Sequence, residues 1–186
     1  MAKIFIFRHG QTTFNRDRIF CGWMDPDLTE DGIKECEQIA ERLKSVKPTK
    51  AYTSDLKRAQ HTLNLVLGEM KDKIPIIIDP RIKERNDGDL NGVSITKTEK
   101  EHPKEILLWR RSYAVAPPGG ESLKDVEKRV LSFLDDTLPK LKKDDIIFIC
   151  GHANSIRPLR RYFEKMSIDE MCSFEYTPAM VYEYEI

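Results

Sequence analysis

Hydrophobic and polar positions alternate along the chain in two kinds of block, and the first kind predicts strands. Short apolar runs bounded by polar residues occupy positions 4–7, 51–53, 76–78 and 146–149, with a further candidate at 180–184. The run of three isoleucines at 76–78 is typical of a parallel strand that is buried on both faces. We therefore predict a sheet in which most strands are parallel.

Between these runs, apolar residues recur at helical spacing, and polar residues mark where the helices begin. Thr29 is a predicted N-cap followed by two acidic residues, and Ser122 with Asp125 resembles a capping box. The apolar helical positions are Ile33, Cys36, Ala40, Leu43; Ala59, Leu63, Val66, Leu67, Met70; Leu123, Val126, Val130, Phe133, Leu134; and Ile156, Leu159, Phe163, Met166. Residues 79–120 are the least periodic part, interrupted by prolines and glycines.

Strands and helices alternate four times without a change of composition. This order predicts an α/β fold, a three-layer sandwich with a mostly parallel central sheet flanked by helices. The 186 residues are enough for one such domain and short for two, so residues 1–186 are expected to form a single domain.

Composition narrows the classes of function. Thirty-one basic and 31 acidic residues cancel, which removes the overall positive charge of a nucleic-acid binder. No apolar run approaches the length of a membrane span, so no membrane partner is expected. The four cysteines form no CxxC pair, which favours reduced thiols and a cytoplasmic location.

Two of the four histidines follow predicted strands directly. His9 comes after the run at 4–7, and His152 after the run at 146–149. Ligands of open α/β sheets bind beyond the carboxyl ends of the strands, so we expect the two histidines in one site. Arg8 adds a forked donor suited to an anion.

Other common active-site motifs are missing from the chain. There is no GxSxG elbow, no HExxH zinc motif, no P-loop and no GxGxxG fingerprint. Arginine beside histidine suits a phosphoryl group, with neutral imidazole as the nucleophile. Cys21 and Cys150 are alternative nucleophiles, but Cys150 ends an apolar strand and is expected to be packed.

Four segments, in order, resemble the motifs of the histidine phosphatase superfamily and extend over most of the chain. They are RHGQTTFN at 8–15, TSDLKRA at 53–59, KERNDGDLNG at 83–92 and GH at 151–152. The resemblance implies a phosphoglycerate mutase-like fold and a phosphohistidine enzyme. It assigns the nucleophile to His9, the proton donor and acceptor to Glu84, and the phosphate contacts to Arg8, Arg58 and His152.

Further segments are similar to the cofactor-dependent phosphoglycerate mutases within this superfamily. They are CGWMD at 21–25, WRRSY at 109–113, GESLKD at 120–125 and HANSIR at 152–157. The resemblance implies contacts to substrate from Asn15, Cys21, Gly22, Arg110, Arg111 and Asn154. It also implies a small phosphorylated metabolite as substrate, 2,3-bisphosphoglycerate as the priming phosphate donor and no metal. A homo-oligomer stays open, and Arg110 with Arg111 has the alternative of a solvated basic pair.

The chain also departs from the mutases. Asp87 stands where they commonly carry tyrosine, and Ile95 where they carry a substrate-binding lysine, for which Lys97 is a displaced candidate. An insertion before Glu121 and a tail past the last strand are missing. Three hypotheses follow: a mutase that interconverts 3-phosphoglycerate and 2-phosphoglycerate in glycolysis and gluconeogenesis, a phosphomonoesterase of the same superfamily, and a non-enzymatic phosphate sensor.

Overall fold

Five strands form one sheet in this computed structural model, which describes all 186 residues. The strands are β1 (Lys3–Arg8), β2 (Lys50–Thr53), β3 (Ile76–Ile78), β4 (Ile146–Gly151) and β5 (Val181–Glu185). Their order across the sheet is β3-β2-β4-β1-β5. The first four are mutually parallel, and β5 pairs antiparallel with β1. The predicted, mostly parallel sheet is confirmed.

Helices flank this sheet. They are α1 (Thr13–Arg16), α2 (Glu30–Leu43), α3 (Lys57–Leu67), α4 (Ile95–Glu101), α5 (Glu105–Arg111), α6 (Leu123–Thr137), α7 (Ala153–Glu164) and α8 (Ile168–Ser173). Short 3-10 helices occupy Gly68–Asp72, Pro80–Ile82, Gly88–Leu90 and Leu138–Lys140. None of the helices combines the length and the apolar character that a membrane-spanning helix requires.

The strands carry a separate hydrophobic core on each face of the sheet. Along β1, Phe5 and Phe7 point to a core shared with α2 and α3, whereas Ile4 and Ile6 point to a core shared with α6 and α7. The same alternation holds along β4. Side chains of a strand alternate between its two faces, so apolar runs on central strands supply both cores and produce the three predicted layers.

The two predicted helix caps are confirmed. Thr29 accepts a hydrogen bond from the backbone N–H of Gly32 at 3.0 Å, and α2 begins at the next residue. Ser122 and Asp125 form a reciprocal capping box at the start of α6. A cap satisfies N–H groups that the helix itself leaves free, and is worth about 1 kcal/mol.

The prediction that the strand at 76–78 is buried on both faces is wrong. β3 lies at the edge of the sheet, where Ile77 and Ile78 remain 36% and 53% exposed. Burial of a strand depends on its place in the strand order, which the apolar run does not encode.

Three short helices have no counterpart among the predicted elements. α1, α4 and α8 are four to seven residues long, too short for an apolar period to be recognised. α7 ends at Glu164, before Met166, because Lys165 adopts the left-handed conformation with φ of 57°. Met70 lies in the 3-10 helix that follows α3.

Candidate active site

The two histidines singled out by the sequence lie side by side at the carboxyl end of the sheet. β1 and β4 are neighbours whose last residues, Arg8 and Gly151, pair in register. His9 and His152 follow directly, and their ring centroids are 5.0 Å apart. Adjacent strands lie about 4.8 Å apart, so the spacing of the rings follows from the spacing of the strands.

His9 is a neutral imidazole with a defined tautomer. Its Nδ1 lies 2.7 Å from the carbonyl oxygen of Gly10, which can only accept, so Nδ1 carries the proton. The Nε of Arg58 donates to Nε2 at 3.3 Å. Burial, followed by the charges of Arg8 and Arg58, lowers the pKa of His9 well below 6.5. Nε2 is therefore the ring nitrogen whose lone pair is available for nucleophilic attack.

His152 is oriented by a residue that the sequence analysis did not assign. Ser54 Oγ lies 2.7 Å from Nε2 of His152, and the same oxygen accepts a hydrogen bond from the backbone N–H of Leu56. Burial, followed by the charges of Arg58 and His9, lowers the pKa of His152 well below 6.5. Ser54 follows β2 directly, at the same end of the sheet. This position after a predicted strand is the feature by which the sequence could have identified Ser54 as a site residue.

Nδ1 of His152 is buried and has no hydrogen-bond partner within the protein. A buried polar atom without a partner is uncommon and destabilises the fold by about 1–3 kcal/mol. When it carries the proton of the imidazole, this nitrogen beside His9 is suited to an oxygen of a bound phosphoryl group.

Arg58 ties the loop at 21–25 to the histidine pair. Its guanidinium donates to the carbonyl oxygens of Gly22 at 2.9 Å and Met24 at 2.5 Å while it contacts His9. The carboxylate of Asp25 accepts from the backbone N–H groups of Lys57 and Arg58, so this loop caps α3.

Gly22 is required by the shape of that loop. Its φ of 42° lies in the left-handed region, and a Cβ at this position would lie 1.7 Å from Oδ1 of Asn91. Only glycine combines this conformation with such a close approach.

Arg8, the residue before His9, lies against Tyr176. Its guanidinium carbon is 5.4 Å from the ring centroid of Tyr176, and its buried Nε has no partner within the protein. Arg8, His9 and Asn15 line a cavity of about 130 Å³. No group of three or more His, Cys, Asp or Glu side chains is arranged to hold a metal ion. Positive charge at the histidine pair comes from arginines.

Glu84 lies at the N-terminus of α7. Its Oε1 accepts from the backbone N–H groups of Arg85 at 2.8 Å and Asn154 at 3.0 Å, and only 6% of the residue is exposed. Oε2 makes no hydrogen bond within the protein. One carboxylate oxygen is thus anchored and the other is available for proton transfer.

All six residues predicted to contact substrate line one cavity of about 150 Å³, together with Glu84. Its lining is Asn15, Ile19, Phe20, Cys21, Gly22, Glu84, Arg85, Asp87, Ile95, Arg110, Arg111 and Asn154. Asn15 also lines the cavity beside His9. The two cavities therefore share Asn15, and the lining of the first comes from five separate parts of the chain.

Arg110 and Arg111 reach this cavity from the last turn of α5. Arg111 donates to the carboxylate of Glu175, and Arg110 lies 3.6 Å from Glu99. Burial, followed by the charge of Arg111, lowers the pKa of Arg110. Most of their guanidinium N–H groups have no protein partner, as expected for a pair that receives an anion.

The departures from the mutase pattern have distinct structural outcomes. Asp87 is buried and accepts two hydrogen bonds from Arg85, whose third donor holds the carbonyl oxygen of Trp109 at the end of α5. Burial raises the pKa of Asp87. Ile95 lines the cavity, whereas Lys97 is 66% exposed beside Glu101 and contributes nothing to the lining.

The buried neutral histidines predict a pH-dependent stability. As the pH falls below 6.5, the unfolded chain binds protons that folded His9 and His152 do not bind, so the free energy of unfolding decreases. We expect a loss of about 1 kcal/mol for each histidine over the first pH unit below 6.5, measured by urea denaturation. His9→Gln or His152→Gln should halve the loss. A matched change at the exposed His61 should preserve it, and an unchanged slope in both site variants would contradict this prediction.

The comparisons agree with the geometry. The sequence model of the histidine phosphatase superfamily (branch 1) matches residues 4–186. A 2,3-bisphosphoglycerate-dependent phosphoglycerate mutase of Bradyrhizobium diazoefficiens is 42% identical over 167 residues, 87% of this chain and 81% of the relative. Several other relatives at 37–42% identity have the same name.

Solved structures extend the comparison. Bacillus stearothermophilus YhfR superposes with a TM-score of 0.90 at 28% identity, covering 100% of this chain and 92% of that one. A mycobacterial glucosyl-3-phosphoglycerate phosphatase superposes with a TM-score of 0.84 at 26% identity, covering 98% and 92%. With its histidine pair, its arginines and this match over nearly the whole length, the chain belongs to the histidine phosphatase superfamily.

Proposed function

We propose that this chain is a 2,3-bisphosphoglycerate-dependent phosphoglycerate mutase that interconverts 3-phosphoglycerate and 2-phosphoglycerate through a phosphoryl group on His9. One observation carries the proposal: Arg110 and Arg111 line the cavity that contains Glu84. Phosphoglycerate has a carboxylate as well as a phosphate, so its enzyme needs cations beyond those that hold the phosphoryl group. The curated relatives with this name support the assignment. A role in glycolysis and gluconeogenesis and a cytoplasmic location follow from it.

In the first step, Nε2 of His9 attacks phosphorus while the bond to the ester oxygen breaks. Arg58 exchanges its contact with Nε2 for one with the phosphoryl group, and Arg8 precedes His9 in the chain. Together with the Nδ1–H group of His152 they stabilise the negative charge on the phosphoryl oxygens. Arg8 Nε and His152 Nδ1 have no partner within the protein, so they break no hydrogen bond when charge develops.

Glu84 first donates a proton and then accepts one during the reaction. Oε2 donates a proton to the leaving ester oxygen, and the resulting carboxylate takes a proton from the hydroxyl that next attacks the phosphoryl group. Oε1 stays on the backbone N–H groups of Arg85 and Asn154, so the side chain keeps its orientation through both steps. Once His9 carries a phosphoryl group, the free hydroxyl of a phosphoglycerate accepts that group. The phosphoryl group on its neighbouring oxygen then passes to His9, which leaves the isomeric phosphoglycerate and a phosphorylated His9 for the next cycle.

The priming donor fits the residues present. Arg8 Nε and His152 Nδ1 are buried without partners, and the two arginines of α5 offer further free donors to a second anionic group. 2,3-Bisphosphoglycerate would supply the phosphoryl group that first loads His9. The same residues would hold it by its phosphates, and no step assigned to the chain requires a metal.

A phosphomonoesterase is the second candidate, and a specific observation favours it. Ile95 places an apolar side chain in the cavity, and Asp87 adds a carboxylate, so the cavity is less cationic than one with lysine at position 95. Several structural neighbours are named phosphatases. Mutase activity should rise on addition of 2,3-bisphosphoglycerate and release little inorganic phosphate. A phosphatase would release phosphate steadily and ignore the addition.

Removal of Arg111 tests the substrate assignment. Arg111→Ala should lower kcat/KM for phosphoglycerate about ten- to a hundredfold more than for a simple aryl phosphate, because a charge-assisted pair is worth about 1.5–3 kcal/mol. Steady-state kinetics on both substrates measure the ratio. Arg42→Ala, at the exposed last turn of α2, is the matched control. Equal losses on the two substrates would assign Arg111 to the phosphate pocket, and no loss on either would leave a solvated basic pair.

A further inference from the structure

A carboxylate of the protein already binds one arginine of the Arg110–Arg111 pair. Glu175, in the segment between α8 and β5, accepts a hydrogen bond from the guanidinium of Arg111. The side chain of Glu175 is 74% exposed and that of Arg111 is 37% exposed, so the contact lies at the mouth of the cavity. It is an ion pair in contact with solvent, which another anion in solution can displace.

Glu175 and Glu99, the two carboxylates near the arginine pair, differ in the other hydrogen bonds that they accept. Glu99 accepts two hydrogen bonds from Arg18, at 3.0 and 3.1 Å, and is satisfied without its longer contact to Arg110. Arg111 is the single side-chain partner of Glu175. Displacement of Glu175 therefore frees Nη2 of Arg111 for another anion, whereas Glu99 competes for Arg110 only weakly.

The backbone around Glu175 is anchored on both sides. Tyr176 is half-buried, and its hydroxyl donates to the carbonyl oxygen of Ala153 at 2.7 Å while its ring faces Arg8. On the other side, the guanidinium of Arg160 lies 4.0 Å from the ring centroid of Phe174. An exchange at Arg111 thus requires rotation of the Glu175 side chain alone, with no movement of the segment.

We propose that Glu175 is a specificity-determining residue that competes with the carboxylate of the substrate for Arg111. The inference rests on the proposed function, because it takes Arg111 as the carboxylate-binding arginine. A substrate with a carboxylate has to displace Glu175 before it binds to Arg111, so its gain in affinity from Arg111 is smaller than it would be without Glu175. A phosphate ester without a carboxylate leaves the internal pair intact. Arg110 and Arg111 create a preference for carboxylated substrates, and Glu175 makes this preference smaller.

The size of the effect follows from the exposure of the pair. Solvent-exposed ion pairs are weak, and removal of this one should strengthen the binding of a carboxylated ligand about two- to fivefold. Because exposed pairs are screened by salt, the effect should shrink at high ionic strength.

The test is Glu175→Gln, which removes the charge and retains the shape of the side chain. The readout is competitive inhibition of aryl phosphate turnover by 3-phosphoglycerate and, separately, by inorganic phosphate. We expect the inhibition constant of 3-phosphoglycerate to fall about two- to fivefold relative to that of inorganic phosphate. Glu69→Gln changes the net charge equally, at an exposed position that lines no part of the cavity, and is the matched control.

A double-mutant cycle with Arg111→Ala completes the experiment. In the Arg111→Ala background, Glu175→Gln should leave the ratio of the two inhibition constants as it was. An unchanged ratio in the single variant overturns the inference, and so does the same shift with and without Arg111. Failure of the wild-type protein to interconvert phosphoglycerates would contradict the proposed function separately, because the inhibition assay uses 3-phosphoglycerate only as a ligand.

Discussion

Replacement of His9 by alanine is expected to lower turnover of every phosphoester by at least about a thousandfold and to abolish the phosphorylated protein. The physical reason is that Nε2 of His9 is a neutral nitrogen with a lone pair, held by Gly10 and flanked by Arg8 and Arg58. No other nucleophile is placed in this way: Cys150 is fully buried, and burial raises the pKa of Cys21. The measurement is phosphate retained by the protein after mixing with substrate and separation in base, where phosphohistidine is stable.

Two further variants test whether the loss of phosphorylation is specific to His9. His61→Ala changes an exposed histidine of α3 and should be labelled like the wild type. His152→Ala should react more slowly and still become labelled, because it removes a donor to the phosphoryl group and leaves the nucleophile. Labelling of His9→Ala to the wild-type extent would show that another residue carries the phosphoryl group.

Replacement of Glu84 by glutamine is expected to lower kcat/KM for phosphoglycerate about 10²–10⁴-fold, the usual contribution of a general acid. The loss should be much smaller for a nitrophenyl phosphate, since nitrophenolate leaves without being protonated whereas the alkoxide of phosphoglycerate does not. The amide oxygen of glutamine can still accept from Arg85 and Asn154, so the fold should be retained. Kinetics over a series of esters with leaving groups of different acidity measure the effect.

The control for Glu84 is another glutamate near the histidine. Glu35 is half-buried and lines the cavity beside His9, but it accepts from the N–H of Gln11. Glu35→Gln should show no added dependence on the leaving group. If Glu84→Gln lost the same factor on nitrophenyl phosphate as on phosphoglycerate, its role would be in binding or structure rather than proton transfer. Urea denaturation of Glu84→Gln distinguishes a role in structure from a role in binding.

Elements with a strong local signal were predictable from the sequence. Thr29 and Ser122 cap their helices through contacts within three or four residues, and such contacts are encoded in adjacent positions. Phe5 and Ile6 belong to an apolar run that predicts a strand. His9 and His152 were predictable as partners because parallel strands end at the same edge of a sheet. Two of the four motifs that carry the superfamily resemblance contain these histidines.

Other features depend on which segments meet in space. The three isoleucines of β3 predict a buried strand, but the strand order places β3 at the edge of the sheet. The helices α4 and α5 form in the least periodic part of the chain, where Arg85 holds the last turn of α5 through the carbonyl oxygen of Trp109. Short helices gain stability from such tertiary contacts rather than from their own period.

The sequence by itself determined the fold class and the pairing of His9 with His152, because both rest on the pattern of apolar runs and on the parallel order of the strands. Tertiary structure alone decided how the side chains around this pair are arranged. It assigned the proton of His9 to Nδ1, set Ser54 against His152, anchored one oxygen of Glu84 on the N-terminus of α7 and brought Glu175 to Arg111. These contacts join residues 1 to 98 positions apart. Hydrogen bonds and ion pairs act over a few ångströms, and only the folded chain brings the distant partners within that range.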